Sequence, residues 1–269
     1  MIFKKKTIRD LNLNGVQCLV RVDFNVPTDP ITHAITDDSR IKASLPTIEF
    51  LLTNGASVVL CTHYGRPRGQ IVDDLRVTGI RERVSHLLKQ PVFDAGYPTS
   101  ENSKNVSNQL RPGEVAMLEN IRFHPGEETN SKNLAKEIAL LANIFVNDAF
   151  SVSHRRHAST TGLTKYITSV AGFLMEKEIE MLNSILEANQ KPSIAVVGGL
   201  KVEDKIKVLN NLSKRMNTII IGGAMISAFL EAQGHSGGKS KITKKDIEIA
   251  ERFRSSTKAR LLEPIDLII

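Results

Sequence analysis

The strongest constraint in this sequence is an alternation of short apolar runs, rich in β-branched residues, with longer segments of helical periodicity. The first four runs are "GVQCLVRVDF", "ASVVLCTH", "EVAMLEN" and "NIFVNDAF". Each is separated from the next by a segment whose apolar residues recur every three or four positions. This alternation is typical of βαβ units, and it predicts an α/β fold built on a mostly parallel sheet.

The helical segments have recognisable ends. "DDSRIKASLPTIEFLLTNG" predicts a helix with Asp37 or Asp38 as N-cap and Gly55 as its C-terminal stop, and Pro46 inside it predicts a kink or a late start. "RVTGIRERVSHLLKQ" and "SKNLAKEIALLA" predict two further helices. "GFLMEKEIEMLNSILEANQ" is a long amphipathic pattern, after which the alternation restarts. We therefore predict an N-terminal domain over 1–172, a connecting helix over 173–190 and a second domain over 191–269.

The second domain repeats the strand and helix pattern. "SIAVVGG" and "NTIIIGG" predict strands, and "KVEDKIKVLNNLSKR", "AMISAFLEAQ" and "KKDIEIAERFRSST" predict helices. The sequence ends on "ARLLEPIDLII", in which Ile265–Ile269 has the pattern of a buried strand. Chain termini are usually polar, so this apolar end suggests that the sequence stops inside a structural element.

Composition excludes several classes of protein. No apolar stretch approaches the roughly 20 residues that span a membrane, and no secretory signal follows the basic N-terminus. The net charge is +7, but there is no Trp, there are 3 Tyr, and no aromatic residues interleave with the basic ones, so a nucleic-acid partner is not expected. Cys18 and Cys61 lie in apolar runs, which favours buried free thiols and a cytoplasmic location.

Polar residues follow the predicted strands at the edge where ligands bind in open α/β sheets. Arginines there suit phosphate or carboxylate oxygens, and the alternative for each one is an ordinary surface role. The histidines fit hydrogen bonding to an anion, or packing, better than metal ligation, because neighbouring arginines would repel a dication. The residues that follow strands are Asp23, Asn25, His63, Arg66, Arg122, His154, Arg155, Arg156 and His157, and Arg40 lies at the start of the first helix.

The second domain offers two strand–Gly-Gly–helix turns. Gly198 and Gly199 end one strand, and Gly222 and Gly223 end the next; glycines there allow a ligand to approach the backbone. Lys201 and Lys205 are four residues apart, so a helix would place both on one face at its N-terminal end. Cations at that end oppose the helix dipole, and a bound anion would explain this cost. The alternative is a solvated helix face. "GHSGGKS" is not a P-loop, because Gly234 and Gly238 are spaced four apart and follow a helix.

The ordered set of motifs resembles the phosphoglycerate kinase family, in its bacterial form. The motifs are "RVDFNVP", "DDSRIKASLPTI", "HYGRP", "LENIRFHPGEE", "NDAFSVSHRRHAS", "GFLMEKEI", "VVGGLKVEDKI" and "IIGGAM", and they cover essentially the whole chain. The resemblance implies two doubly wound, Rossmann-like domains joined by a helix and closed by a hinge. It implies a monomeric glycolytic enzyme that transfers a phosphoryl group between 1,3-bisphosphoglycerate and ADP, giving 3-phosphoglycerate and ATP, with Mg bound to the nucleotide.

The resemblance also assigns roles. Arg40 and Lys201 would act on the transferring phosphoryl group. The phosphoglycerate site would use Asp23, Phe24, Asn25, Arg40, His63, Tyr64, Gly65, Arg66, Arg122 and Arg155. The nucleotide site would use Lys201, Lys205, Gly198, Gly199, Gly222 and Gly223.

Three departures from the family pattern affect these expectations. Leu200 replaces a small residue and is expected to crowd its loop, Ser151 to Ser153 replace a "GTA"-like stretch, and Arg156 makes the choice of ligand in "HRRH" less certain.

The family's "GPxGxFE" and "GGGDT" segments, the second of which supplies the metal ligand, have no counterpart in this sequence. We therefore expect a C-terminally incomplete phosphoglycerate kinase with little or no activity. The alternative is a naturally short, non-catalytic protein that binds phosphoglycerate or another anion.

Overall fold

The computed structural model describes residues 5–186 and 192–263. The chain forms two compact units, Ile2–Met181 and Leu182–Ile269. The division falls inside the helix that we expected to connect two domains, and our boundaries at 172 and 190 remain predictions. The end of that expected helix and the apolar run Ile265–Ile269 lie outside the described residues.

The N-terminal unit is built on a six-stranded parallel sheet in the order β3-β4-β2-β1-β5-β6. The alternating runs of the sequence form its four central strands, since β4, β2, β1 and β5 stand side by side. The carboxyl ends of these strands therefore share one edge of the sheet. The strands are β1 (Gln17–Arg21), β2 (Ser57–Cys61), β3 (Val92–Gly96), β4 (Val115–Leu118), β5 (Ile144–Asn147) and β6 (Thr168–Ala171).

Helices cover both faces of this sheet. Alternate residues of β1 point to opposite sides: Val20 packs in a core with α1 and α2, and Leu19 packs in a second core with α4. Burial on both faces explains why the strands are continuously apolar. It confirms the predicted doubly wound α/β arrangement. The helices are α1 (Ser39–Thr53), α2 (Thr78–Leu88), α3 (Glu101–Gln109), α4 (Lys132–Ala139) and α5 (Phe173–Leu186).

A buried carboxyl group joins β5, α1 and the start of α5. Asp148 directly follows β5, and its Oδ1 accepts hydrogen bonds from the Thr47 hydroxyl at 3.0 Å and the Leu174 N–H at 2.9 Å. The Thr47 oxygen in turn accepts from the Phe173 N–H at 2.9 Å. These contacts satisfy two of the free donors at the N-terminus of α5. Burial raises the pKa of Asp148 to about 6.

The C-terminal unit has a three-stranded parallel sheet in the order β7-β8-β9. One face packs on its helices through a core that includes Val197, Ile219 and Phe229. The other face leaves Ile194 60% and Val196 73% exposed. Its elements are β7 (Ile194–Gly198), α6 (Ile206–Leu212), β8 (Thr218–Gly222), α7 (Ile226–Glu231), α8 (Lys244–Ser256) and β9 (Arg260–Leu262).

The helix predicted from Lys201 begins five residues later than expected. α6 starts at Ile206, with Lys205 as its N-cap, so Lys201 and Lys205 do not share a helix face and that prediction is wrong. Val202 is fully buried, and the Lys205 N–H donates to its carbonyl oxygen at 2.9 Å. The segment is therefore a turn that anchors an apolar side chain in the core.

Two strands and one helix were not predicted, since the pattern did not indicate β3, α3 or β6. α1 begins at Ser39 with Pro46 inside it, so the late start does not occur and the alternative, a kink at Pro46, stays a prediction. Cys18 and Cys61 are buried and free, as expected. None of the helices in the described part of the chain is long and apolar enough to cross a membrane.

Candidate functional site

Basic and polar side chains collect at the carboxyl ends of the four central strands of the N-terminal unit. Asp23 and Asn25 follow β1, and His63 follows β2. Arg122 lies in a short turn after β4, and Arg155 lies in the loop after β5. Because parallel strands end at one edge of a sheet, loops that are far apart in sequence contribute to one surface. We call this surface the basic rim.

His63 is the most informative residue of the basic rim. Its side chain is 5% exposed, and its pKa is lowered to about 2, first by burial and then by neighbouring cations. The ring is therefore a neutral imidazole at any physiological pH. Four guanidinium groups from different elements act on this one ring: Arg21, Arg122, Arg155 and Arg40, in decreasing order of effect.

Asp23 connects two sides of the rim. Its Oδ2 accepts from Arg40 Nη1 at 3.0 Å and from the Ser151 hydroxyl at 2.5 Å. Its Oδ1 accepts from the Asn25 N–H at 3.3 Å and lies 3.8 Å from His63 Nδ1. The side chain of Arg40 is still half exposed, which leaves much of its guanidinium facing solvent. Ser151, where the sequence departs from the family pattern, thus holds the carboxylate in place.

The side chains of two asparagines hold the loops after β2 and β4 in place through hydrogen bonds to the backbone. Asn25 Oδ1 accepts from the Gly65 N–H at 2.9 Å. Asn120 is fully buried; its Oδ1 accepts from the N–H groups of Tyr64 and Arg122, and its Nδ2 donates to the carbonyl oxygen atoms of Tyr64 and Leu75. The backbone of both loops is therefore fixed by side chains instead of by regular secondary structure.

Gly65 has a backbone conformation that favours glycine over other residues. Its φ is +61°, and an added Cβ would lie 2.6 Å from a methyl carbon of Leu75. Any other residue would combine backbone strain with a clash. The Gly65 carbonyl oxygen accepts from Arg122 Nη1 at 2.7 Å, so this turn also supports an arginine of the rim.

Two of the residues that the resemblance placed at the site turn their side chains into the core. Phe24 is fully buried, and its N–H donates to the Thr62 hydroxyl at 3.0 Å. Tyr64 is 9% exposed, and its hydroxyl pairs with that of Thr28 at 2.7 Å. Any ligand contact of Phe24 or Tyr64 would therefore involve mainly the backbone.

The arginines differ in burial. Arg122 is 3% exposed, and its Nε lies 3.3 Å from Glu128 Oε1, an ion pair without hydrogen-bond geometry. Burial is the first cause that lowers the pKa of Arg122, and the charge of Arg155 adds to it. Arg66 and Arg156 are exposed. Of the two arginines in "HRRH", Arg155 is thus the one whose charge reaches His63 and Arg122.

In the C-terminal unit the two Gly-Gly turns face one another. Gly223 has a φ of +69°, and a Cβ there would lie 2.9 Å from the backbone nitrogen of Gly199. The Met225 N–H donates to the Gly199 carbonyl oxygen at 2.9 Å. This close approach of the two backbones explains why these positions are glycine, whether or not a ligand binds there. Lys201 is exposed and Lys205 is half-buried, with its side chain beside Gly199.

A cavity in the described residues does not coincide with the basic rim. It measures approximately 710 Å³ and is lined by the 32–38 loop together with α2. Its main charged groups already neutralise one another, since Arg83 donates to Asp38 Oδ2 from Nε at 2.9 Å and from Nη2 at 2.6 Å. The basic rim, where several arginines meet, is the better candidate for an anion site than this cavity, because charge marks an anion site better than volume does.

Comparison with known proteins identifies the family. The family model for phosphoglycerate kinase matches residues 8–269. Phosphoglycerate kinases of Moorella thermoacetica and Microcystis aeruginosa are 42% and 44% identical to the chain, and each match covers 98% of this chain and 68% of the relative. The phosphoglycerate kinase structure from Coxiella burnetii superposes with a TM-score of 0.85 at 35% identity, covering 98% of this chain and 67% of that one. The chain belongs to the phosphoglycerate kinase family.

Residues outside our sequence-based assignment also shape the site in this phosphoglycerate kinase family member. Arg21, Asn120, Glu127 and Ser159 are all buried and contribute to the rim or to its support. The one available signal was Arg21, a cation inside an apolar strand. Leu200 is 80% exposed, so the expected crowding of its loop is wrong. Within residues 5–186 and 192–263, no three His, Cys, Asp or Glu side chains are grouped so that they could hold a metal ion.

Proposed function

We propose that the chain serves the reaction for which its family is named, the reversible transfer of a phosphoryl group between 1,3-bisphosphoglycerate and ADP, giving 3-phosphoglycerate and ATP, and that on its own it has little or no turnover. In this proposal it works as a monomer in cytoplasmic glycolysis. The N-terminal unit binds the phosphoglycerate at the basic rim. The C-terminal unit contributes Lys201, Lys205 and the two Gly-Gly turns to a site for the Mg-nucleotide.

One observation carries the proposal: the charges of four arginines from different elements act on a single neutral histidine. Asp23 and Glu128 offset part of the charge of Arg40 and Arg122, and a bound anion would relieve the remaining repulsion between the cations. Guanidinium groups match the geometry of phosphate and carboxylate oxygens. 3-Phosphoglycerate carries both groups, and a rim with several donors at separate positions suits it better than it suits inorganic phosphate.

The proposed chemistry requires positioning and charge neutralisation more than a nucleophilic side chain. Arg122 and Arg155 would hold the phosphate and the carboxylate. Arg40, the most exposed of the four, would neutralise charge that develops on the transferring group. Lys201 would act on the same group. The Mg of this proposal is bound to the nucleotide, and in the described residues no three His, Cys, Asp or Glu side chains are grouped so that they could hold a metal ion.

The two arginines of "HRRH" provide a matched test of binding. Arg155→Ala should weaken 3-phosphoglycerate binding in isothermal titration calorimetry by about tenfold or more, the effect of losing charge-assisted hydrogen bonds. Arg156→Ala removes the same side chain one position further on and should change the dissociation constant by less than about twofold. Equal effects of the two variants would show that the rim does not select its ligand through Arg155.

Catalysis is tested separately from binding. A coupled assay on the chain alone should show little or no turnover, and family-like turnover would contradict that expectation. The role of Arg40 is therefore tested in a full-length context, where Arg40→Ala should reduce turnover by about a hundredfold, as expected for loss of a preorganised charge at a transition state. Turnover of that variant within a few-fold of its parent would remove Arg40 from this role. Binding of 3-phosphoglycerate without any turnover in the full-length context would instead support the non-catalytic anion-binding alternative.

A further inference from the structure

A buried chain of hydrogen bonds lies behind the basic rim. It runs from Glu127 through Ser159 and Arg21 to His63. Arg21 is 1% exposed and Glu127 is fully buried, so both ends of this charge pair are removed from water. Within the described residues the two charges do not touch; the Ser159 hydroxyl bridges them.

In each of these hydrogen bonds only one of the two partners can be the donor. Arg21 Nε donates to Ser159 Oγ at 2.9 Å, because a guanidinium has hydrogen-bond donors and no acceptor. Ser159 Oγ must then give its one hydrogen to Glu127 Oε1, 2.6 Å away. The Ser159 N–H also donates to Glu127 Oε2 at 2.9 Å. Burial raises the pKa of Glu127, but His157, whose Nδ1 lies 3.6 Å from Oε1, the charge of Arg21 and the two bonds from Ser159 lower it by more, so the carboxylate is ionised.

The same reasoning fixes the protons on the His63 ring. Arg21 Nη2 lies 3.3 Å from His63 Nδ1, and since the guanidinium is the donor, Nδ1 must be the acceptor. In a neutral imidazole the other nitrogen, Nε2, then carries the hydrogen. In the described residues, Asp23 Oδ1 is the carboxylate oxygen that lies near Nδ1, but at 3.8 Å it is further away than Arg21. Burial and the charges of Arg21, Arg122, Arg155 and Arg40 lower the pKa of His63, so the ring is not the imidazolium that would carry a hydrogen on both nitrogens.

We propose that Arg21 is a positioning residue that holds His63 as the neutral tautomer protonated on Nε2, with Glu127 and Ser159 holding Arg21 in place. His63 then presents its Nε2–H as a hydrogen-bond donor to an anionic oxygen of the bound phosphoglycerate. The donor function rests on the proposed function, whereas the tautomer is a property of the free protein.

A neutral donor has an advantage among four arginines. It adds a directional hydrogen bond to the ligand without adding to the repulsion between cations in the unliganded rim. Arg21 suits this role because two nitrogen atoms of one rigid, planar group contact Ser159 and His63 at the same time. A lysine would supply one flexible point charge and could not fix both partners.

Nuclear magnetic resonance of ring-labelled histidine tests the tautomer directly. The chain has 7 histidines, and a His63→Gln variant identifies the His63 signals by their loss. In the parent protein, His63 should show the neutral pattern protonated on Nε2, unchanged from about pH 5.5 to about pH 8. A parent ring that is protonated on Nδ1, or that titrates in this range, would overturn the proposal whatever the variants do.

Variants of Arg21 and Ser159 test whether these residues are the cause of the single His63 tautomer. Arg21→Met and the milder Ser159→Ala should both lose the single tautomer and give a mixture, and Arg21→Lys should not restore it. Arg156→Met, which removes an exposed arginine outside the buried chain, should leave the signals unchanged. If Ser159→Ala is folded by circular dichroism and keeps the parent tautomer, Ser159 does not hold Arg21. If folded Arg21→Met keeps it, the positioning role of Arg21 is refuted.

Titration with 3-phosphoglycerate separates this inference from the proposed function. Arg21→Met should weaken binding by about tenfold or more, and unlike the parent it should bind with an affinity that changes as His63 titrates. A parent that shows the Nε2 tautomer but does not bind would contradict the proposed function and leave the tautomer assignment intact. A parent that binds with its ring protonated on Nδ1 would contradict the role of Arg21 alone.

Discussion

Replacement of the buried carboxyl group of Asp148 by an amide should change how the stability of the N-terminal unit depends on pH. Asp148 Oδ1 accepts from Thr47 and Leu174, and an amide oxygen can accept the same two hydrogen bonds. Asp148 Oδ2 and Ser44 Oγ are both buried without a hydrogen-bond partner in the described residues. Asp148→Asn therefore keeps the shape of the group and removes its ability to ionise.

The size of this pH-dependent change in stability follows from the raised pKa of Asp148. Burial, opposed by hydrogen bonds of which those from Thr47 and Leu174 have the largest effect, moves the pKa of Asp148 from 3.8 to about 6. The folded protein thus holds this proton more tightly than the unfolded chain does. The resulting stabilisation, about 3 kcal/mol in total, is fully present below pH 3.8 and is lost as the pH rises through about 6. About 2 kcal/mol of it should disappear between about pH 4.5 and about pH 7.5.

Urea unfolding at a series of pH values measures this effect. The 3 tyrosines of the chain all lie in the N-terminal unit and there is no Trp, so tyrosine fluorescence reports the unfolding of that unit. Relative to the parent, Asp148→Asn should gain about 2 kcal/mol of unfolding free energy between the two ends of the pH range. Asp74→Asn, which changes an exposed carboxylate, should gain nothing. A constant difference for Asp148→Asn, or one that falls as the pH rises, would refute the reasoning.

Two further predictions concern close packing and buried thiols. Gly223→Ala should destabilise the C-terminal unit by about 1–3 kcal/mol, because the new Cβ would lie 2.9 Å from Gly199. Gly238→Ala, at a φ of +59° in open space, should cost less, and thermal unfolding followed by circular dichroism compares the two; equal costs would contradict the clash. Burial raises the pKa of the Cys18 and Cys61 thiols to about 12, so iodoacetamide at about pH 8 should label them at the rate of unfolding. Rapid labelling of the folded protein would contradict their burial.

The α/β class could be predicted because the central strands are apolar on both sides. β2, "SVVLC", is buried at every position, and such runs stand out in any sequence. Edge elements carry a weaker signal. β3, "VFDAG", is mostly exposed or half-buried, and the two buried residues of α3 are the serines Ser103 and Ser107, so neither segment shows an apolar period. Partial burial removes the pattern on which the prediction depends.

The site could be predicted only where it follows a strand. The rule for strand ends identified Asp23, Arg122 and Arg155. It missed Arg21 because this residue belongs to β1 itself, where the pattern indicates core. It also missed Asn120, whose importance lies in four hydrogen bonds to backbone groups of distant loops. Spacing in the sequence does not encode contacts of this kind.

The asparagine and aspartate bridges between the rim loops have a kinetic consequence. Asn25 ties the loop after β1 to the loop after β2, Asn120 ties the loops after β2 and β4, and the bond from Ser151 to Asp23 ties the loop after β5 to the loop after β1. Such a continuous series of linked loops leaves few loop conformations to be frozen when an anion arrives, and so little ordering entropy is lost on association. The rate of capture should then be set by diffusion in the field of the arginines, and it should fall as ionic strength screens that field.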